Sequence, residues 1–330
     1  MKLIKLNKNK VLQIIIGLLI VLLLTLFIFI VYHQNRKPIK ITMGGRFYKQ
    51  VSDSEGKDFD KYFRPSKLPS INDRFNDFRF FDKFYDKKPS EITLPSSLLK
   101  TPEDTIINYF SVLRQAASPI EGKGAGCGTL GNAQIPYPVA YNFLSAQYKD
   151  KLNYDEYLKS FENILHINLI KLKKVPELNK NLNTMKYFVE IETMKGTEDN
   201  ISNFAYYYAF IEISKEGNMY KISDTQFYGE DFLCAPYHGW SHNAEFVVDI
   251  EYGDWCKLVK ERYPTKQEGY VKNIYFKGTD GNDYKFIFFQ LTNDTDIEIA
   301  QYKKDIKGNW NLIKIDPEKC LEKKPLSIKK

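Results

Sequence analysis

Glu190 and Glu192 stand two residues apart in F-V-E-I-E, and Tyr206 and Tyr208 stand two apart in A-Y-Y-Y-A. On an extended strand residues i and i+2 share a face, so each pair turns two like side chains to one side. If those faces line one cavity, they form a carboxylate–phenol pocket able to move a proton, as general acid–base catalysis requires. The competing reading is a sheet with one wet face, on which alternating Glu is simply the solvent side. A second constellation is Cys234, His238 and His242, with Glu230 and Asp231 just upstream. Thiolate, imidazole and carboxylate are zinc ligands. The i, i+4 spacing needs a helix to align both rings, however, and Pro236 and Gly239 favour a loop, with Tyr237 and Trp240 suited to a packed corner. His166, at a strand start, reads as structural. The run 122–128, G-K-G-A-G-C-G, lacks the Gly-Lys-Ser/Thr ending of a phosphate loop and has no strand before it, so it reads as a connector. No G-x-S-x-G or H-E-x-x-H occurs, and no cofactor is implied.

The elements that must position these residues follow from pattern. Thr101-Pro-Glu-Asp supplies an N-cap, a first-turn proline and acids at the positive end of a helix whose apolar face is Ile106, Ile107, Phe110 and Leu113. A second helix is expected through 139–148 and a third from Asn153 through Tyr157 and Phe161. Strands follow at 166–175, 187–193 and 204–214, and Glu216-Gly-Asn turns the chain back through 219–227. Residues 244–320 read as a smaller α+β unit: a helix over 253–262 stopped by Pro264, then strands at 270–276, 284–291, 297–304 and 310–315.

Three helices followed by a curved antiparallel sheet is an α+β order. Carried by T-P-E-D-T-I-I-N-Y-F, Y-N-F-L-S-A-Q-Y-K-D, Y-D-E-Y-L-K-S-F, F-A-Y-Y-Y-A-F-I-E-I and M-Y-K-I-S-D-T-Q-F, it resembles the NTF2-like (cystatin-like) superfamily over about 101–230. The resemblance implies a cone whose open end often forms an apolar pocket. Its members include isomerases, dehydratases and non-enzymatic assembly domains, some of them in bacterial secretion and conjugation machines, so it implies no single activity.

Upstream, residues 11–32 carry no charge. As a helix they would span about 33 Å, enough for a bilayer core of about 30 Å, and Tyr32 suits an interfacial anchor. The apolar run is longer than a signal-peptide core, and Y-H-Q-N-R-K-P is no cleavage site. The expected division is a cytoplasmic tail at 1–10, a transmembrane signal-anchor at 11–32, and a stalk at 33–100. An NTF2-like domain at 101–235 and a C-terminal α+β domain at 244–320 complete it. The stalk carries a short helix with Ile71, Phe75, Phe78, Phe81 and Tyr85 at helical spacing, which either packs on the next domain or docks elsewhere. Four basic residues in the tail set the N-terminus inside and the bulk of the chain extracytoplasmic, in a single pass.

Cys127, Cys234, Cys256 and Cys320 are even in number and far apart, which suits two disulfides in an oxidising exterior or four thiols in a cytosol. Three pairings are open; under this domain division, Cys127 with Cys234 and Cys256 with Cys320 would each staple one domain.

The net charge of +7 is uneven. Residues 1–50 hold nine basic and no acidic residues, so of the 48 basic residues 39 remain against 41 acids in 51–330, a net of −2. The folded part lacks the positive field that nucleic acid demands. The abundance of Lys, Asn and Ile suits AT-rich coding DNA of a low-GC bacterium. The resulting expectation is a membrane-anchored, non-catalytic binding or assembly module of the bacterial cell envelope with a protein partner. The alternative is a tethered enzyme or small-ligand binder using the NTF2-like pocket.

Overall fold

The computed structural model describes residues 18, 40–48, 68–75, 77, 79–125, 131–178, 183–230 and 239–322. The chain falls into two units, Met1–Lys40 and Ile41–Lys330. Apart from Lys40 at the start of the first strand, the two sheets and the helices that pack on them belong to the second.

The first layer is helical. The short helix α1 (Arg79–Asp82) is followed by α2 (Pro102–Arg114), α3 (Pro136–Tyr141), α4 (Ala146–Lys149) and α5 (Tyr154–Lys159). The cap expected at Thr101 is present, its side chain accepting from the Asp104 N–H, and Asn153 caps α5 by accepting from Glu156. The second expected helix is two. The chain turns out of helix at Asn142, and Ser145 then accepts from the Tyr148 N–H to start α4, a local bond that competes with helix continuation.

The helices lie on a sheet ordered β1 (Lys40–Thr42), β2 (Gly45–Tyr48), β6 (Met219–Gly229), β5 (Asn203–Glu216), β4 (Thr184–Lys195), β3 (Ile164–Lys174). The β3–β6 meander is antiparallel, whereas β2 joins β6 in parallel. The core between helices and sheet is rich in aromatic side chains: Phe110, Tyr137, Phe143, Tyr157 and Phe161 meet Tyr187, Val189 and Ile191. Residues 68–99 also feed this core, through Phe81, Phe84, Ile92, Leu94 and Leu99. Phe78 lies outside the described residues.

The second sheet runs β12 (Trp310–Ile313), β11 (Asp296–Lys304), β10 (Asp283–Gln290), β9 (Val271–Gly278), β7 (Val259–Arg262), with β8 (Lys266–Glu268) also on β9. In place of the helix expected at 253–262, α6 (Ala244–Val247) leads into a π-helix, Val248–Trp255, and residues 259–262 become strand. The widened turns seat Val248 and Tyr252 among Ile274, Phe276, Phe286 and Phe288. After β12 comes α7 (Glu318–Glu322).

The two sheets meet face to face. β4 sends Tyr187, Val189 and Ile191 toward the helices and Phe188 toward the second sheet, where it packs with Tyr208, Phe289 and Leu291. β10 does the converse, giving Phe286 and Phe288 to its own core and Phe289 to the junction. Phe188 and Phe289 meet edge-on with centroids 5.2 Å apart. Each central strand is therefore buried on both faces.

The fold class departs from expectation in one respect. No helix among the described residues is long and apolar enough to cross a membrane. The longest, α2, has 13 residues, about 20 Å against the roughly 30 Å of a hydrocarbon core. The described fold is α+β on two largely antiparallel sheets and does not include the transmembrane helix expected at 11–32; of that stretch only Leu18 is described.

Candidate functional site

The strand register lines up the ionisable residues in rows. Lys171 on β3 stands opposite Glu190 on β4, which stands opposite Tyr208 on β5, which stands opposite Tyr228 on β6. The neighbouring row is Asn168, Glu192 and Tyr206. Directly opposed side chains on one face touch, and these do. Lys171 Nζ lies 2.6 Å from Glu190 Oε2. Tyr206 donates to Glu192 Oε2 at 2.7 Å, and Asn168 donates to Glu192 Oε1 at 2.9 Å. Tyr208 and Tyr228 stack with centroids 4.9 Å apart.

This face is neither a wet surface nor an open pocket. Glu190 is 0% and Glu192 6% exposed, and the β10–β11 turn covers Glu190. Lys171 donates to the Gln290 carbonyl at 2.7 Å, the Thr292 N–H donates to Glu190 Oε1 at 2.8 Å, and Tyr270 donates to the Leu172 carbonyl at 3.2 Å. The Lys171–Glu190 pair thus serves as a polar clasp between the sheets. Burying an ion pair is costly unless its remaining hydrogen-bonding capacity is met, and backbone groups of the turn meet part of it here.

Glu230, at the end of β6, completes the cluster. It is 5% exposed, and neither of its carboxyl oxygens accepts from a described donor. Burial, reinforced by the nearby Glu190 charge, pushes its carboxyl well above the usual range, with Lys171 pulling the other way. A desolvated carboxyl beside a like charge favours its neutral form. Burial and the Glu192 carboxylate likewise raise the Tyr206 phenol, and burial raises that of Tyr208. A hydrogen-bonded chain leads outward from Glu192: His166 Nε2 and the Arg114 guanidinium both engage Asn168 Oδ1, and Arg114 also contacts Ser70. Burial lowers the His166 imidazole, aided by Arg114, which keeps it neutral at pH 7. In the sequence Glu230 stands out only as a neighbour of the zinc-type residues, and both Lys171 and the meeting of Glu230 with Glu190 are missed. The signal that could have found them is Phe188, a large apolar side chain on the same face as Glu190 and Glu192.

Of the metal candidates, His242 sits on the 3-10 turn Trp240–His242, while Cys234 and His238 lie outside the described residues. No cluster of three or more His, Cys, Asp or Glu placed to hold a metal exists among the described residues. Cys256 and Cys320 form a disulfide; Cys127 lies outside the described residues.

Open space lies beside the clasp rather than in it. A cleft of about 850 Å³ runs between the outer face of the first sheet and the β11–β12 end of the second. Val175, Phe210, Val247, Phe288 and Ile313 give it apolar walls, and Tyr208 reaches it; Glu190, Glu192 and Tyr206 are not among its lining residues. Its charged lining is Glu177, Glu251, Asp296, Glu298 and Asp316 against Lys186 and Lys314. Glu298 accepts from Tyr252 at 2.8 Å and from Gln301 at 2.7 Å. Burial, with Glu298 and Glu318 nearby, pushes the Glu251 carboxyl up to about 7.

No family model matches the chain, and no curated protein matches it. Among solved structures, one described as an "Ntf2 like protein involved in plasmid conjugation" aligns with 52% of this chain and 90% of its own, at 10% identity and a TM-score of 0.18. A superposition that loose carries no argument about this chain.

Proposed function

We propose that this chain is a non-catalytic binding or assembly module of the bacterial cell envelope, built on an NTF2-like half and working outside the cytoplasm. The observation that carries the reading is the division of labour at the junction. The residues best suited to proton chemistry are sealed into a structural clasp, with Glu190 fully buried. The open cleft beside them offers apolar walls with a few charged groups, the make-up of a concave binding site. The Cys256–Cys320 disulfide supports an oxidising location. The helices-then-meander order of α2–α5 and β3–β6 supports the NTF2-like assignment.

A small-ligand reading draws on one observation, the cleft volume of about 850 Å³, which lies within the range of organic-ligand sites. Native extraction of the full-length chain from envelopes, with mass spectrometry of what stays bound, separates the two. A stoichiometric protein partner is expected; a retained small molecule with no protein partner would replace the binding-module reading with the other.

A further inference from the structure

β12 is the terminal strand of its sheet, and terminal strands present N–H and C=O groups that an extended chain can pair with. Leu312 and Ile313 of this strand line the cleft, as do Lys314 and Ile315 just beyond it. A segment laid along β12 would turn alternate side chains to opposite sides. One side meets the apolar walls, among them Leu178, which is 51% exposed to solvent. The other meets a lining where carboxylates outnumber ammonium groups.

Two further features point to a cation. Asp296 also lines the cleft, and its side chain is fully enclosed. Its Oδ2 accepts from Lys272 Nζ at 2.8 Å and from the Ala244 N–H at 2.9 Å, while Oδ1 has no donor among the described residues. Lys272 balances this carboxylate, and its unpaired oxygen is an acceptor held just behind the cleft wall. Burial, with Glu298 and Glu318 beside it, makes Glu251 a second acid whose charge a nearby cation would favour.

We propose that this cleft takes an extended segment of a protein partner in which Lys or Arg alternates with apolar residues, paired along β12. The inference rests on the binding-module reading and gives that reading a partner chemistry.

The test uses the full-length chain and a short, fluorescently labelled, acetylated peptide alternating Lys with Val and Leu, beside a twin carrying Glu in place of each Lys. Anisotropy should show the Lys peptide binding, weakening with salt, and the Glu twin failing to bind. Lys314 is exposed, so Lys314→Glu adds negative charge at the lining without disturbing the core and should tighten the Lys peptide by about fivefold. The double change Glu251→Gln and Glu298→Gln should weaken it, with thermal unfolding run in parallel to check that the fold persists. Equal binding of both peptides, no response to Lys314→Glu, or occupation of the cleft by a second copy of this chain, seen as self-association that Lys314→Glu abolishes, would each overturn the proposal. If the Lys peptide fails to bind while native extraction still yields a stoichiometric partner, this inference falls and the binding-module reading stands. If extraction yields a small molecule alone, both fall.

Discussion

Glu230 is a buried carboxyl with no described hydrogen-bond donor, and its protonation should contribute to the pH response of the fold. Burial and Glu190 raise its carboxyl in the folded chain above the unfolded value of 4.5. An acid whose folded value is raised contributes stability that is complete below the unfolded value and is lost as pH rises through the folded one. Stability should therefore decline from about pH 4.5 upward. Glu230→Gln keeps the shape and removes the proton to be lost. Denaturant midpoints at pH 5, 7 and 9 should fall less with pH in the variant, which should be the more stable protein at pH 9. Parallel curves for the two proteins would show that Glu230 is charged in the fold. Sequence alone could pair Glu190 with Glu192 and Tyr206 with Tyr208, because period two is all that requires. Alternate polar residues alone do not separate a wet face from one covered by a second sheet; Phe188, on the same face, is the cue that does. The covering turn at 290–295 lies about a hundred residues from the strand it seals.

Strands are more legible than helices in this chain, for a physical reason. The runs at 166–175, 204–214 and 219–227 carry aromatic and β-branched residues, and the structure has strands within two or three residues of those limits. Helix ends with side-chain caps, at Thr101 and Asn153, are equally readable. The two departures among the helices are the break at 142–145, where the Ser145 cap is joined by backbone bonds of Phe143 and Ser145 to Ile222 of β6, and the π-helical turns that seat Tyr252 under Phe286, centroids 4.6 Å apart. β10 offers a cue in its run F-I-F-F, apolar on both faces, since a strand wet on one side does not carry such a run. Phe289 is the residue that this double burial exposes to test. It is 2% exposed and meets Phe188 and Tyr270. Phe289→Ala should cost about 3–5 kcal/mol, as truncation of a buried aromatic does, read as a lower denaturant midpoint. A loss under about 1 kcal/mol would mean that the sheets do not depend on this contact.

The arrangement of the two sheets ties their stabilities together. Because β4 and β10 each belong to two cores, residues 41–330 should unfold in one transition. The disulfide adds a covalent closure at the far side, joining the π-helix end at Cys256 to α7 at Cys320 across 64 residues. Replacing both cysteines by Ser should cost about 2–4 kcal/mol, largely by freeing the unfolded chain. The check is thermal unfolding of the variant against the oxidised protein; coincident curves would argue that the bridge contributes nothing.

That closure has a further bearing on when the chain becomes competent. Asp316 and Pro317 form part of the cleft wall, and Cys320 bonds back to the Pro317 carbonyl through its N–H. Cys256 emerges from the ribosome well before its mate, so the wall is pinned only once the later cysteine has been made and oxidised. In a newly made or reduced chain that stretch of wall would keep only its hydrogen bonds, so the shape of the cleft and the redox state of the bridge are linked.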